Sequence, residues 1–126
     1  MAISQKRSRR KVTGGRYKTF SKKREHNKGN LPAFTKVGEV HVKTRRARSG
    51  SVNSFFLSAN VVNVLDPKSR KSQKTEVITV IESPANRHFV RRNIITKGAI
   101  VDTKLGKVKI TSRPGQDGVL NAILIS

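Results

Sequence analysis

The sequence predicts an all-β fold: a small antiparallel barrel or sandwich of about six strands, preceded by an extended basic N-terminal arm. Three observations carry this. From residue 36 onward apolar residues come in short runs, several alternating with polar ones, separated by Gly, Asp, Asn and Pro. No amphipathic helical period is long enough to build a helical layer. Before residue 36 the chain has too little apolar surface to offset the roughly 1 to 2 kcal/mol per residue that backbone ordering costs. The division expected is an arm at 1–35 and a folded body at 36–126.

Each element follows from its own stretch of sequence. In residues 9–32 there are nine Lys or Arg against the single acid Glu25, and the sizeable apolar side chains are Val12, Tyr17, Phe20 and Leu31. No strand or helix period runs through this segment, so it is expected to take shape only around a polyanion; its glycines, as in TGGRYK, allow it to turn. VGEVHVKT (37–44) alternates, with Val40 and Val42 on one face and His41 and Lys43 on the other, which reads as a half-buried strand leading into Arg45, Arg46 and Arg48. SFFLSANVVNVL (54–65) places Phe55, Leu57, Ala59 and Val61 on one side and then changes phase at Val62 and Val64, the mark of a bulge or bend. DPKSRKSQK (66–74) is turn chemistry. TEVITVIE (75–82) carries Val77, Ile78, Val80 and Ile81 on both faces and is expected to be central.

SPANRHFVRRN (83–93) fits a strand poorly. Ser83 is a reasonable N-cap and Pro84 an acceptable first helical residue, so one helical turn is expected, with Ala85 and Phe89 inward and Arg87 and Arg91 on one face beside His88 and Arg92. TKGAIVDT and KVKITS read as two strands of a hairpin around KLG, where Gly106 can take the positive φ of a tight turn. SRPGQDG holds two turn pairs, Pro114-Gly115 and Asp117-Gly118. VLNAILIS is an apolar final strand.

Composition bounds the function. Of 126 residues, 28 are Lys or Arg and 7 are Asp or Glu, a formal net charge of +21, well beyond what solubility asks of a small domain. The charge is graded: residues 1–50 hold 16 basic and 2 acidic residues, residues 51–126 hold 12 and 5. A polyanion gains a neutralising partner from this and releases its condensed counterions, so nucleic acid is the leading ligand class. A membrane surface would need an apolar face opposite the charges, which residues 1–30 lack, and no run of 18 apolar residues is present. The lack of cysteine fits a reducing, intracellular setting without a disulfide or thiolate metal site. His26, His41 and His88 stand apart from one another at no metal-ligand spacing, and TGGRYK lacks the Walker spacing. No catalytic residue, metal, cofactor or small-molecule substrate is expected.

For RNA the useful chemistry is an Arg fork on phosphate and Arg or His stacked on a base. Arg9, Arg10, Arg16, Arg45, Arg46, Arg48, Arg87, Arg91 and Arg92 fall in clusters, which a merely solvated surface would not require. Sparse aromatics argue against a single-strand stacking platform and for recognition of folded shape and phosphates. An extended 35-residue arm spans on the order of 100 Å, a reach suited to a large folded RNA. The same charge would also suit a DNA-compacting protein.

Four strings, RRKVTGGRYK (9–18), KKREHNKGNLPAFTKVGE (22–39), PANRHFVRRNIITKGAIV (84–101) and SRPGQDGVLNAILI (112–125), carry a further signal. Through them the whole chain resembles the archaeal form of the small-subunit ribosomal protein S8e family, which archaea and eukaryotes share. The resemblance implies a structural protein of the cytoplasmic small (30S) subunit, with a β-barrel-like body, small-subunit rRNA and neighbouring ribosomal proteins as partners. It implies RNA-facing roles for Arg9, Arg10, Lys11, Arg16, Lys18, Lys22, Lys23, Arg24, Lys28, Asn86, Arg87, His88, Arg91 and Arg92. Arg7, Tyr17, His26 and Arg113 complete the candidate set.

Overall fold

A computed structural model of the chain describes residues 8–18, 29, 31–47 and 49–125. The chain divides into two units between Pro32 and Ala33.

In the second unit eight strands and one helical turn follow in order: β1 (Lys36–Val37), β2 (His41–Arg46), β3 (Val52–Ala59), β4 (Val61–Leu65), β5 (Ser72–Glu82), α1 (His88–Arg91), β6 (Ile100–Thr103), β7 (Gly106–Ile110) and β8 (Asn121–Leu124). They form a three-stranded sheet, β1-β3-β2, and a closed barrel, β4-β5-β6-β7-β8. The all-β class expected from the sequence is therefore present, and of the barrel and the sandwich it is a barrel that forms, of five strands beside a three-stranded sheet, eight described strands in all against an expected six or so. It also departs from a purely antiparallel design. β8 closes the barrel by pairing with β4 in parallel, Asn63 opposite Asn121 and Leu65 opposite Ile123, and β1 runs parallel to β3. Closure leaves the barrel without an exposed edge.

A five-stranded barrel is narrow, because diameter grows with strand number, and its filling is correspondingly small. Val62 and Val64 of β4, Val77 and Val80 of β5, Val101 of β6, Val108 and Ile110 of β7 and Ala122 of β8 are buried together with Ile95, Ala99 and Leu120. Phe56 is the one ring in this buried set. Each such Val, Leu or Ile contributes about 1.5 to 3 kcal/mol by leaving water.

Three departures from strict alternation explain where the sequence reading of faces fails. In β3, His41 pairs with Ser58 but Val42 with Phe56, so Leu57 is bulged and the parity changes; Phe56 and Ala59 are buried while Leu57 and Val61 are exposed. The long 54–65 run is two strands, broken at Asn60, whose carbonyl accepts the Val77 N–H at 2.7 Å. In β5, register shifts between Val77 and Thr79 and again between Val80 and Glu82 leave Val77 and Val80 inside but Ile78 and Ile81 exposed. That strand is central as expected, flanked by β4 and β6, and it starts at Ser72, inside the segment read as a turn.

Two further expectations are corrected. β2 is not half-buried: all six residues are exposed, and Val40 and Val42 stand 53% and 44% open, because β2 pairs only with β3 at the sheet edge. The helical turn starts at His88, not after Ser83. Ser83 is buried, its hydroxyl 3.4 Å from that of Thr96, while Asn86 Oδ1 accepts the His88 N–H at 2.9 Å and Ala85 is exposed. The 104–106 hairpin is as read, with Gly106 at φ 117° and its carbonyl accepting the Thr103 hydroxyl at 2.7 Å.

Candidate nucleic-acid interface

In the first unit, residues 9–17 form a short hairpin. Arg10 bridges Arg16 in antiparallel sense, Lys11 N–H donates to the Gly15 carbonyl at 2.7 Å and Tyr17 N–H to the Arg9 carbonyl at 2.9 Å. The turn is closed by Gly14 N–H on the Lys11 carbonyl at 3.0 Å, with Gly14 at φ 83°, a conformation that costs an L side chain about 1 to 2 kcal/mol. The Arg10 guanidinium donates back to the Gly14 carbonyl at 2.9 Å, and the Lys11 ammonium lies 5.5 Å from the Tyr17 ring centre. Within the segment expected to lack a strand or helix period, the Gly-Gly turn and these hydrogen bonds give residues 9–17 a local fold. Arg9, Arg10, Lys11, Arg16, Tyr17 and Lys18 are all exposed there.

The described candidate cations of the second unit stand at three places. On the ribbon of β2 and β3, Lys43 opposes Phe55 and Arg45 opposes Asn53, so these four share one face, and Arg46 opposes Val52 on the other. Lys43 was not among the sequence candidates, although its i,i+2 spacing to Arg45 on an alternating strand marks it. The turn at the far end of the ribbon is fixed by Ala47 N–H on the Ser51 carbonyl at 2.7 Å.

Around α1, Arg87, His88, Arg91 and Arg92 are all exposed. Under Arg92 the surface is aromatic: Phe89 and Phe34 pack with ring centres 5.6 Å apart, and the Arg92 guanidinium lies 5.7 Å from the Phe34 ring. Asn86 is used by its own turn as an acceptor for His88. At the third place, Arg113 opens the 113–117 turn: its N–H donates to Asp117 Oδ2 at 3.1 Å, and its guanidinium reaches Gln116 Oε1 at 3.4 Å. Arg7, Lys22, Lys23, Arg24, His26, Lys28 and Arg48 lie outside the described residues.

Few acids answer these charges from within. Among the described residues one ion pair forms, Lys104 with Glu76 at 2.5 Å, both more than half exposed and therefore worth little. Asp66 is engaged in its own turn, accepting from Lys68 N–H at 3.0 Å and the Ser69 hydroxyl at 2.8 Å; these bonds, the backbone one first, hold its pKa below the ordinary aspartate value. Asp117 serves Arg113 backbone. The arginines of the hairpin, the ribbon and α1 consequently have no carboxylate partner among the described residues. Forked donors of this kind suit phosphate oxygens. No three His, Asp or Glu side chains gather among the described residues to hold a metal ion, and no helix there is long and apolar enough to cross a membrane.

A family model described as ribosomal protein S8e matches residues 4–125. Similar curated proteins carry the name small ribosomal subunit protein eS8. That of Methanobrevibacter smithii is 51% identical over 99% of this chain and 100% of its own length. That of Nanoarchaeum equitans is 48% identical over 96% and 95%, and that of Methanococcus aeolicus 46% identical over 100% and 99%.

Proposed function

The chain belongs to the ribosomal protein S8e family, and from that membership we propose that it is a non-enzymatic structural constituent of the cytoplasmic small ribosomal subunit, acting in translation by binding and stabilising folded small-subunit rRNA. The basic arm and the basic loops of the barrel unit make the contact, and neighbouring small-subunit proteins are further partners. The observation that supports this reading best is the clustering of exposed arginines in each unit, without acidic partners among the described residues. A protein that needed its charge only for solubility would gain from interspersed acids, whereas a phosphate lattice supplies the missing anions. In the arm, Arg9, Arg10, Lys11, Arg16 and Lys18 hold backbone phosphates. In the second unit Lys43, Arg45, Arg87, Arg91 and Arg92 do so, with His88 placed to stack or donate.

Chemical footprinting of the protein on small-subunit rRNA, with sedimentation of tagged protein beside 30S particles, tests the proposal. One discrete protected site and co-sedimentation are expected. With about eight phosphates engaged, log affinity falls against log salt with a slope near −6 to −7. Equal affinity for random duplex DNA, together with absence from the particle fractions, would point instead to a DNA-compacting role.

A further inference from the structure

The hairpin at residues 9–17 contains an arrangement that is unfavourable on its own. Its hydrogen bonds flank the Arg10–Arg16 pair instead of joining those two residues, which makes them a non-hydrogen-bonded pair. In that type the Cα atoms are about 4.5 Å apart and the side chains come closest. Two arginine side chains therefore leave one face from directly opposed positions, and like charges directly opposite destabilise a ribbon. Residues 8–18 contain no acidic side chain to relieve this. Arg10 spends one of its five N–H donors on the Gly14 carbonyl, which fixes its direction, and keeps the others. The opposite face carries Lys11 against the Tyr17 ring and so secures the hairpin away from the arginine pair.

We infer that Arg10 and Arg16 form a preformed two-arginine clamp for a single RNA backbone phosphate, set by the left-handed turn at Gly14. This rests on the RNA-binding reading above and adds to it a shape requirement: charge alone does not suffice, because the two forks must stand side by side before they share one anion. A phosphate between them removes the repulsion and is held from two sides, and its binding stabilises the hairpin in turn. Gly14 becomes a positioning residue although nothing lies within 4 Å of where its Cβ would be.

The test uses the full-length chain. Binding to the rRNA is compared for wild type, Gly14→Val, Gly14→Asn, Arg10→Ala, Arg16→Ala and the double Arg variant. Because Val resists positive φ whereas Asn tolerates it, Gly14→Val weakens affinity roughly 5- to 30-fold with charge unchanged, and Gly14→Asn stays within about twofold of wild type. The two Arg substitutions combine to much less than the product of their single effects, since they serve one anion. Gly14→Val binding like wild type, or Arg effects that simply multiply, overturns the clamp. Independently of rRNA, the free protein should show an NMR contact between the Arg10 and Arg16 Hα protons, and inorganic phosphate should shift both Arg Nε–H signals together. Lack of either result also overturns it, whereas both present with no discrete rRNA footprint leaves the clamp standing and rejects the ribosomal RNA reading.

Discussion

Gly115 shows how much a single residue can depend on what lies across from it. A Cβ there would sit 2.9 Å from the Ala33 carbonyl oxygen, a backbone atom that cannot turn aside. Gly115→Ala should lower stability by about 1 to 3 kcal/mol, the range for overfilled sites, measured by urea unfolding; an unchanged midpoint would mean that the 113–118 loop moves freely from residue 33. The Pro-Gly pair was readable as a turn, but its closeness to Ala33 was not, since nothing local encodes which strand of chain lies opposite. Asp66 offers a pH test. Its folded pKa is depressed by hydrogen bonds from Lys68 N–H and the Ser69 hydroxyl, so the stability it contributes is present above the unfolded aspartate pKa and is lost as pH falls through the folded value. Wild type should melt above Asp66→Asn at neutral pH, and the two curves should converge in acid below the ordinary aspartate range. A gap that persists there would assign the effect to packing.

Among elements, α1 separates two roles that the sequence merged. Arg87, Arg91 and Arg92 all read as one basic cluster, yet Arg92 lies over Phe34 while Phe34 packs on Phe89. Replacing Arg87 and Arg91 by Ala should therefore reduce RNA affinity with a melting temperature within a degree or so of wild type. Arg92→Ala should reduce affinity and also remove about 0.5 to 1 kcal/mol of stability through the lost cation–π contact, visible as a drop in melting temperature without RNA. If all three behave alike in the melt, the ring contact contributes nothing. The strands show the same limit. Their existence is legible from alternation and turn residues, but alternation alone makes the 37–44 stretch look half-buried, because Val40 and Val42 look the same in sequence whether or not a layer covers them. Bulges at Leu57 and within β5 shift the parity after the run has begun, so the four apolar residues expected on two faces of β5 divide into covered Val77 and Val80 and open Ile78 and Ile81.

For the whole molecule the dominant fact is self-repulsion. Residues 33–126 alone hold seventeen Lys or Arg against six Asp or Glu, and with one exposed ion pair among the described residues the charges are largely uncompensated. Salt should then act in opposite directions on folding and on binding. Raising ionic strength from about 0.05 to 0.5 M shortens the Debye length severalfold, and the free protein should melt several degrees higher as repulsion is screened, since about 1 kcal/mol moves a domain of this size by 4 to 8 °C. Over the same range RNA affinity should fall by orders of magnitude. A melting temperature that drops with salt would show that internal charge pairs, not repulsion, govern the fold.

The sequence by itself determined the strand-rich class, the basic character and its gradient, the 104–106 hairpin and the identity of the exposed arginines, because each depends on composition or on contacts within a few residues. Tertiary structure alone decided that β8 returns in parallel beside β4, which strand faces are covered, and that Arg92 lies on an aromatic platform. Those outcomes depend on pairings between residues tens of positions apart, where the winner is set by how well whole faces pack in a narrow barrel, and no local pattern records that competition.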